Sequence, residues 1–540
     1  MQGIGYKINS LNLVPCTLDL YIMKKWLKRL GIILLILILG ITAFLFWQFR
    51  DRHPDYWVDI NIQPSEPAPL KIGFAAYKIT PEVPDTWTDN DGNFRYEPEN
   101  GDTYTDGNGN GQFDPVWIAG FHNKKPAIAA HDDLWARTFV IDDSKIRMAV
   151  VALDVIGLGS DEIITIRKSL SAELDLDYVI ISSSHTHDGP DVIGMWGDSY
   201  YKSGVDKSYI QWLQAQVKRS IETAANKLRP AILQFAQDLD GAKNMVEDTR
   251  PPIIFDPTLR LIQAIDAEVD TTLGTVLQWS NHPETIWADN LYLSSDFVHY
   301  FREGVEKGVY NGDSLAIKGV GGIAVFLNGS IGGLMTTSPD LGIKAPFKDT
   351  IYQKPSFDKV EAQGTKLAML ALKAFNESSD TLQKGSIGLR AISIELPMQN
   401  PLYRLGGILG VLDKGYSSWM KIRSEVCAWT LGPAIFLHQP GELYPEILIG
   451  GVETPEGQDF DIDIVEDPPL NSFMTHQYQF HVGLSNDMIG YIIPKSQWDE
   501  KEPYTYNVKD GHYGEINSIG AEAAPILYDA MKQVLQELDN

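Results

Sequence analysis

Two histidines separated by one residue, His185 and His187, follow the apolar run 178–181 and precede Gly189 and Pro190. A β-branched run that leads into polar residues and then Gly-Pro predicts a buried strand that ends in a turn. The carboxyl ends of strands in open α/β sheets are where such proteins place their chemistry. Imidazole is a common zinc ligand, so this pair indicates a metal site. The alternative is a surface loop that happens to carry two histidines.

Three further segments place a polar side chain after an apolar strand. His282 precedes Pro283, which cannot continue a central strand. Glu442 follows Pro440-Gly441, and Tyr491 follows Gly490. With His185 these residues offer two imidazoles, a carboxylate and a phenol. Three N/O ligands with an open position suit one catalytic zinc ion per chain, and the phenol of Tyr491 is either a fourth ligand or a neighbour of the metal-bound water.

The elements that must position these residues alternate along the chain between strand-like and helix-like patterns. This alternation predicts an α/β fold, a single large domain over residues 71–540 with a mixed β-sheet flanked by helices. Strands are predicted at 138–141, 147–153, 178–181, 231–235, 259–264, 274–279, 323–327, 388–395 and 434–437. Helices are predicted at 161–174, 207–228, from 295, 359–375 and 521–538.

The charge balance of the 540-residue chain excludes one large class of partner. Lys and Arg number 45 against 71 Asp and Glu, which gives a formal net charge of -26. Nucleic acid binding requires a basic surface, so no nucleic acid partner is expected. The chain has two cysteines, Cys16 and Cys427, too few for a disulfide framework or a cysteine zinc cluster.

The N-terminal region predicts membrane attachment. Residues 30–49 contain no charge and are long enough to cross a bilayer as a helix. Basic residues at 24–29 precede them, so the positive-inside rule places 1–29 in the cytoplasm and the remainder outside it, in a periplasmic or extracellular location. We expect an uncleaved single-pass signal anchor, followed by a Pro-rich stalk at 50–70. Met23 is an alternative start to Met1.

The segment 85–114 is a polar insertion rich in Asp, Asn and Gly. The residues Asp106, Asn108, Asn110 and Asp114 match the oxygen positions at the front of a calcium loop, but Trp117 stands where that loop has Glu. A second cluster, Asp89, Asp91 and Asn93, could supply further oxygens. The segment is either a calcium site or a solvated, turn-rich insertion.

Taken in order, the four site motifs resemble the neutral (non-lysosomal) ceramidase family of zinc-dependent amidases, as a divergent member. The matching segments are HTHDGP at 185–190, His282-Pro283 after Trp279, Pro440-Gly441-Glu442, and GLSN at 483–486 followed by Tyr491. The resemblance covers about residues 71–540.

The resemblance implies a role for each matched residue. His185, His282, Glu442 and Tyr491 would be the zinc ligands, and His187 would be an acid/base or oxyanion-stabilising group. Tyr513 resembles the second active-site tyrosine of the family, at a longer spacing from Tyr491. The implied reaction is hydrolysis of the amide bond of ceramide or a related N-acyl lipid or amide by zinc-activated water.

The chain departs from the family pattern in segments that face substrate. Met245 stands where the family has Arg after Asn, and Gly333 and Met335 replace an Asp and a Ser. We expect no counterpart of the C-terminal β-sandwich of many ceramidases after residues 521–538. These departures leave open a catalytically silent, metal-containing relative that acts as a binding protein. A metallo-β-lactamase-like reading fails because Pro190 stands where its motif requires His.

Overall fold

The computed structural model describes residues 17–378 and 380–538 of the chain. Contacts divide the chain after Arg50 into two units. The first contains the helix Thr17–Gln48. Its segment Ile22–Gln48 includes an 18-residue stretch with a mean hydropathy of 2.8 and is long and apolar enough to cross a membrane. A signal sequence passes the same test. The helix begins before the predicted span because the basic residues at 24–29 are good helix formers, and residues 1–16 lie outside the described part.

The second unit is built on a nine-stranded sheet that mixes parallel and antiparallel pairs. Its β-branched and aromatic residues alternate between two buried faces, as in Phe139 and Val140, which belong to different core clusters. In spatial order its main path is Ile323–Asn328, Thr272–Trp279, Leu259–Asp266, Arg229–Asp238, Lys71–Lys78, Trp135–Asp142, Arg147–Leu153 and Tyr178–Ser183, with Asp380–Leu382 beside Arg229–Asp238.

A second, five-stranded sheet packs against the inner face of the first, and the rings of Trp429, Phe436 and Phe480 stack within the shared core. Its strands are Asp59–Ile62, Ile387–Pro397, Lys421–Leu431, Ala434–His438 and Tyr478–Val482. The α/β class is therefore confirmed, with the strands divided between two sheets.

Part of the segment predicted as a stalk belongs to the globular unit. Strand Asp59–Ile62 pairs with Ile387–Pro397, and the side chains of Asp51 and Arg52 form ion pairs with Arg423 and Asp413. The Pro-rich composition of 50–70 marks an irregular strand at the edge of the small sheet, where proline is tolerated.

Helices cover the sheets; five of them lie close to predicted positions, whereas Pro401–Leu409, Pro445–Ile449 and Tyr513–Ile516 were not predicted. The helices are Ser160–Ser169, Lys207–Asn226, Phe297–Lys307, Phe357–Glu377, Pro401–Leu409, Pro445–Ile449, Tyr513–Ile516 and Ala523–Leu538. The helix predicted from Ser295 begins at Phe297, and the Asp296 carboxylate accepts from the Phe297 N–H at its N-terminus. Helix 161–174 is shorter than predicted and ends at Ser169, before a separate 3-10 turn.

The carboxyl ends of the strands meet at one place, through Asn328 at the end of an edge strand. The Asn328 amide donates to the carbonyl oxygens of Ser184 and Asn281, at 2.8 and 2.9 Å. These two residues immediately precede His185 and His282. The side chain of Asn328 therefore ties together the two turns that carry the predicted ligands.

A buried ion pair fixes helix Phe297–Lys307 beside these turns. Arg302 donates to both carboxylate oxygens of Asp154, at 2.9 and 2.8 Å, and both side chains are 2% exposed. We predict that Arg302→Ala destabilises the protein by about 3–5 kcal/mol, because it leaves the Asp154 charge buried and unpaired.

The control for this prediction lies on the same helix. Lys307 pairs with Glu303 at 2.6 Å at the surface, and Lys307→Ala should cost less than about 1 kcal/mol. Denaturant unfolding of both variants measures the difference; equal effects would contradict the structural role of Arg302.

A second prediction concerns Glu466, which is buried and accepts a hydrogen bond from the Lys495 N–H at 3.2 Å. Burial raises the pKa of Glu466 from 4.5 to about 7. Between these values the folded state holds a proton that the unfolded state has lost, so the free energy of unfolding falls as the pH rises. Glu466→Gln removes this dependence, and its stability relative to the wild type should rise by about 3 kcal/mol from pH 5 to pH 8.

Urea unfolding at the two pH values checks the Glu466 prediction. Glu377→Gln, at a carboxylate that is 66% exposed, controls for the loss of one charge. A Glu466→Gln advantage that is constant with pH would show that this carboxyl group titrates normally.

Candidate metal centre

Three buried imidazoles converge where the strand ends meet. His185, His187 and His282 each offer a nitrogen within 4.8 Å of the other two. Their ring centroids are 4.9 to 5.5 Å apart. This group could hold a metal ion. It contains both members of the His-x-His motif, whereas the sequence placed His187 beside the ligands.

Local backbone geometry turns the His-x-His segment inward. The strand Tyr178–Ser183 ends two residues before His185, and His185 adopts a left-handed φ of 68°. This conformation is uncommon for residues other than glycine. His185 is held there because its N–H donates to the Val155 carbonyl at 3.1 Å.

The outer nitrogen of each imidazole faces an acceptor. Nδ1 of His185 lies 2.5 Å from the Ile156 carbonyl oxygen, and Nδ1 of His282 lies 2.6 Å from that of Met335. A carbonyl oxygen only accepts, so these Nδ1 atoms carry the protons and Nε2 presents a lone pair. Metal-ligating histidines are typically held in this way.

Glu442 completes the centre from the segment that follows strand Ala434–His438 of the second sheet. Its Oε2 lies 3.1 Å from Nε2 of His282 and 3.5 Å from Nε2 of His185. Burial opposes ionisation, but the two imidazoles hold the pKa of Glu442 well below its usual range. Burial alone would lower the pKa of His282, but Glu442 and Glu284 raise it, because a second proton placed on Nε2 would donate to the Glu442 carboxylate. The carboxylate is therefore an anionic group at the middle of the site.

Two tyrosines stand beside Glu442. Tyr491 is its partner in a short parallel ladder, and the Glu442 N–H donates to the Gly490 carbonyl at 3.0 Å. The ring of Tyr513 lies 6.0 Å from that of Tyr491. Burial and nearby carboxylates raise the pKa of Tyr491 well above its usual value and that of Tyr513 to about 12. Both phenols are protonated at neutral pH and can donate.

Glu284 is a site residue that the sequence analysis missed. Its Oε2 lies 3.0 Å from Nδ1 of His187. Against the effect of burial, His187 lowers the pKa of Glu284 to about 2. Glu284 directly follows the predicted His282-Pro283 motif, but nothing in its spacing indicates a partner almost a hundred positions earlier.

The centre opens into an apolar cavity of about 360 Å³. His185, His187, Glu442, Tyr491 and Tyr513 all line it. The remaining wall is mainly apolar and includes Ile156, Val192, Trp196, Tyr403, Leu412 and Met488. The wall also carries charged and amide side chains outside the imidazole site, among them Asp161, Glu162, Lys207 and Lys414.

The residues that depart from the family pattern do not line this cavity within the described part of the chain. Met245 is a core residue, and Met335 contributes the carbonyl that accepts from His282. Gly333 adopts a positive φ of 72°. Arg250, the nearest arginine to Met245 in the sequence, is buried and pairs with Glu515 at 2.8 Å. It thereby holds the short helix that begins at Tyr513.

The insertion 85–114 lies apart from the imidazoles, in an exposed loop region. Asp106 accepts from the backbone N–H groups of Gly109 and Gly111 at 2.6 and 2.7 Å, and Asn108 and Asn110 donate to Asp114. A second group that could hold a cation is Asp89, Asp91 and Asp102. Calcium binding by Asp106, Asn108, Asn110 and Asp114 stays a prediction.

The donor set fits a zinc ion. At metal–ligand distances near 2.0–2.1 Å, tetrahedral ligand atoms lie about 3.4 Å apart, close to the 3.1 and 3.5 Å between Glu442 and the two imidazoles. Among the described residues, Nδ1 and Nε2 of His187 are both buried without a well-aligned hydrogen bond; Nδ1 lies 3.0 Å from the Glu284 carboxylate, which leaves Nε2 as the nitrogen that can face a bound species.

Comparison with known proteins identifies the fold. A scan against protein-family models finds no match, and a search of curated proteins also finds none. The crystal structure of the neutral ceramidase from Pseudomonas aeruginosa matches with a TM-score of 0.60 and 16% identity, over 87% of this chain and 75% of that one. A ceramidase complexed with C2 matches with a TM-score of 0.59 and 16% identity, over 87% and 76%. This chain has the neutral ceramidase fold, and the likeness supports its motif resemblance to that family.

Proposed function

We propose that this protein is a zinc-dependent amidohydrolase that cleaves the amide bond of ceramide or a related N-acyl lipid or amide. The convergence of His185, His282 and Glu442 at the end of an apolar cavity is the observation that carries the proposal. With Tyr491 as a fourth ligand, these residues would hold one zinc ion.

The chemistry follows from the groups around the centre. A bound zinc ion would lower the pKa of a water ligand towards about 7 and so supply a nucleophile at neutral pH. The protonated phenol of Tyr513 can donate to the carbonyl oxygen as negative charge develops, an effect worth about 3–4 kcal/mol. His187 can pass a proton to the amide nitrogen, which must be protonated before the amine leaves.

The cavity supports an amphiphilic substrate with an acyl chain. Helix Pro401–Leu409 sends Tyr403 into the cavity wall, while Leu402, Leu405 and Leu409 remain exposed on its outside. Apolar groups inside and outside the same helix suit a substrate that arrives from a lipid phase. The apolar part of the wall favours binding of the acyl chain of the substrate. It does not indicate which amine the substrate carries.

The zinc and His187 proposals are tested together. We expect wild-type protein to hold about one zinc per chain by elemental analysis and to hydrolyse some member of a panel of N-acyl aminocoumarins and ceramide. His282→Ala should lose the metal, because a ligand is gone. His187→Ala should keep it and lose about 10²- to 10⁴-fold in kcat, the usual contribution of a general acid–base group.

The control for this experiment is His299→Ala, at a histidine that pairs with Asp132 and belongs neither to the cavity lining nor to the imidazole group; it should leave both zinc and turnover intact. Metal bound without turnover of any panel member would instead favour the second candidate, a silent relative that binds a ligand. That candidate rests on Met245, Gly333 and Met335, which depart from the motifs of the family that the chain resembles, although in this structure they lie outside the cavity lining.

We also propose that helix Ile22–Gln48 anchors the protein in a membrane with the catalytic unit outside the cytoplasm. The basic residues at 24–29 support this orientation. Alkaline phosphatase, which is active only outside the cytoplasm, should be active when fused after residue 540. Activity only of a cytoplasmic reporter at that position would contradict the orientation, and recovery of the unit free of the membrane would indicate cleavage.

A further inference from the structure

We propose that Glu284 is a positioning residue that holds His187 with its Nδ1 proton on the carboxylate and its Nε2 directed to the reacting groups. This role rests on the proposed function, in which His187 transfers protons. It separates His187 from the other two imidazoles, which serve as ligands.

The two residues are fixed to each other by their backbones as well as by their side chains. The His187 N–H donates to the Pro283 carbonyl at 3.1 Å, and the Glu284 N–H donates to the His282 carbonyl at 2.9 Å. Oε2 of Glu284 lies 3.0 Å from Nδ1 of His187, and both side chains are about 10% exposed or less. The contact is therefore fixed by the fold. It is not a chance approach of two mobile side chains at the surface.

Packing removes the remaining freedom of the His187 ring. A Cβ at Gly120 would lie 2.6 Å from the His187 Cβ, so only glycine allows the chain to pass this closely. The ring of Phe121 meets the imidazole edge-on at 5.3 Å and is backed by Trp287. With one side packed and Nδ1 at the carboxylate, Nε2 is left for the cavity.

The acceptor type distinguishes the three imidazoles. Nδ1 of His185 and His282 meet neutral backbone carbonyls, from Ile156 and Met335, whereas Nδ1 of His187 meets a carboxylate. A neutral acceptor fixes the tautomer that a ligand needs. A carboxylate in addition stabilises the imidazolium that forms when Nε2 takes a proton. Because of its contact with Glu284, His187 is the imidazole of the three that is suited to proton transfer.

The proton balance of this role is simple. Nε2 takes one proton from water as the new C–O bond forms. The same proton then goes to the amide nitrogen as the C–N bond breaks and the amine leaves. The Nδ1 proton stays on His187 throughout, and Glu284 remains ionised.

A double-mutant cycle on the full chain tests the inference, with N-dodecanoyl aminocoumarin as substrate. Glu284→Ala should lower kcat about 10- to 100-fold, the usual effect of removing a partner of this kind, with KM nearly unchanged and zinc retained. In the His187→Ala background the same substitution should cost less than about twofold, because Glu284 acts only through that imidazole. Glu284→Gln, which keeps an acceptor oxygen, should recover part of the loss.

A spectroscopic measurement reads the contact directly. The Nδ1 proton of His187 should give a downfield imidazole resonance in ¹⁵N-histidine-labelled protein, lost in His187→Ala and in Glu284→Ala. Glu466→Gln is the matched control, since it alters a buried carboxylate outside the cavity lining; it should change neither the resonance nor kcat.

The results separate this inference from the proposed function. A wild-type protein without turnover contradicts the function and this role with it. With an active wild type, unchanged kcat in Glu284→Ala, additive losses in the cycle, or loss of zinc would each overturn the positioning role alone. If Glu284→Ala does not fold, the same double-mutant cycle with Glu284→Gln tests the positioning role.

Discussion

The hydrogen bond on the outer nitrogen of the imidazoles of His185 and His282 is the constraint on which the site depends. An imidazole can present a lone pair inward only if its proton is held outward. Carbonyl oxygens at Ile156 and Met335 do this for His185 and His282. The two inward lone pairs then face the ionised carboxylate of Glu442. The result is a buried cluster of electron-pair donors that a cation would stabilise.

The fold brings the imidazoles and the Glu442 carboxylate to one point. The imidazoles follow two different strands of the large sheet, and Glu442 follows a strand of the small one. Asn328 joins the two histidine turns. The Gly483 N–H then donates to the Asn328 carbonyl at 3.0 Å, which ties the small sheet to the same place. Neither sheet could build the centre alone.

The sequence predicted His185, His282 and Glu442 as site residues because each is a polar residue that follows an apolar run. Such residues lie at the end of a strand, where the strand ends meet. The same pattern cannot separate them from His438, which ends its own strand but meets Ser485 and Trp429 with its two nitrogens. The roles of the Met335 carbonyl and of Asn328 could not be predicted from the sequence. Neither a backbone acceptor nor a long-range amide contact produces a recognisable spacing of residues. The division into two sheets was missed for the same reason: strand pairing between distant segments is not encoded in local periodicity.

X-ray absorption at the zinc edge of purified full-length protein tests the central claim most directly. The account predicts a shell of nitrogen and oxygen atoms alone at about 2.0–2.1 Å, with the outer-shell scattering of imidazole rings, and loss of that signal in Glu442→Gln. A protein that takes up no zinc, or a shell that contains sulfur at about 2.3 Å, would contradict it.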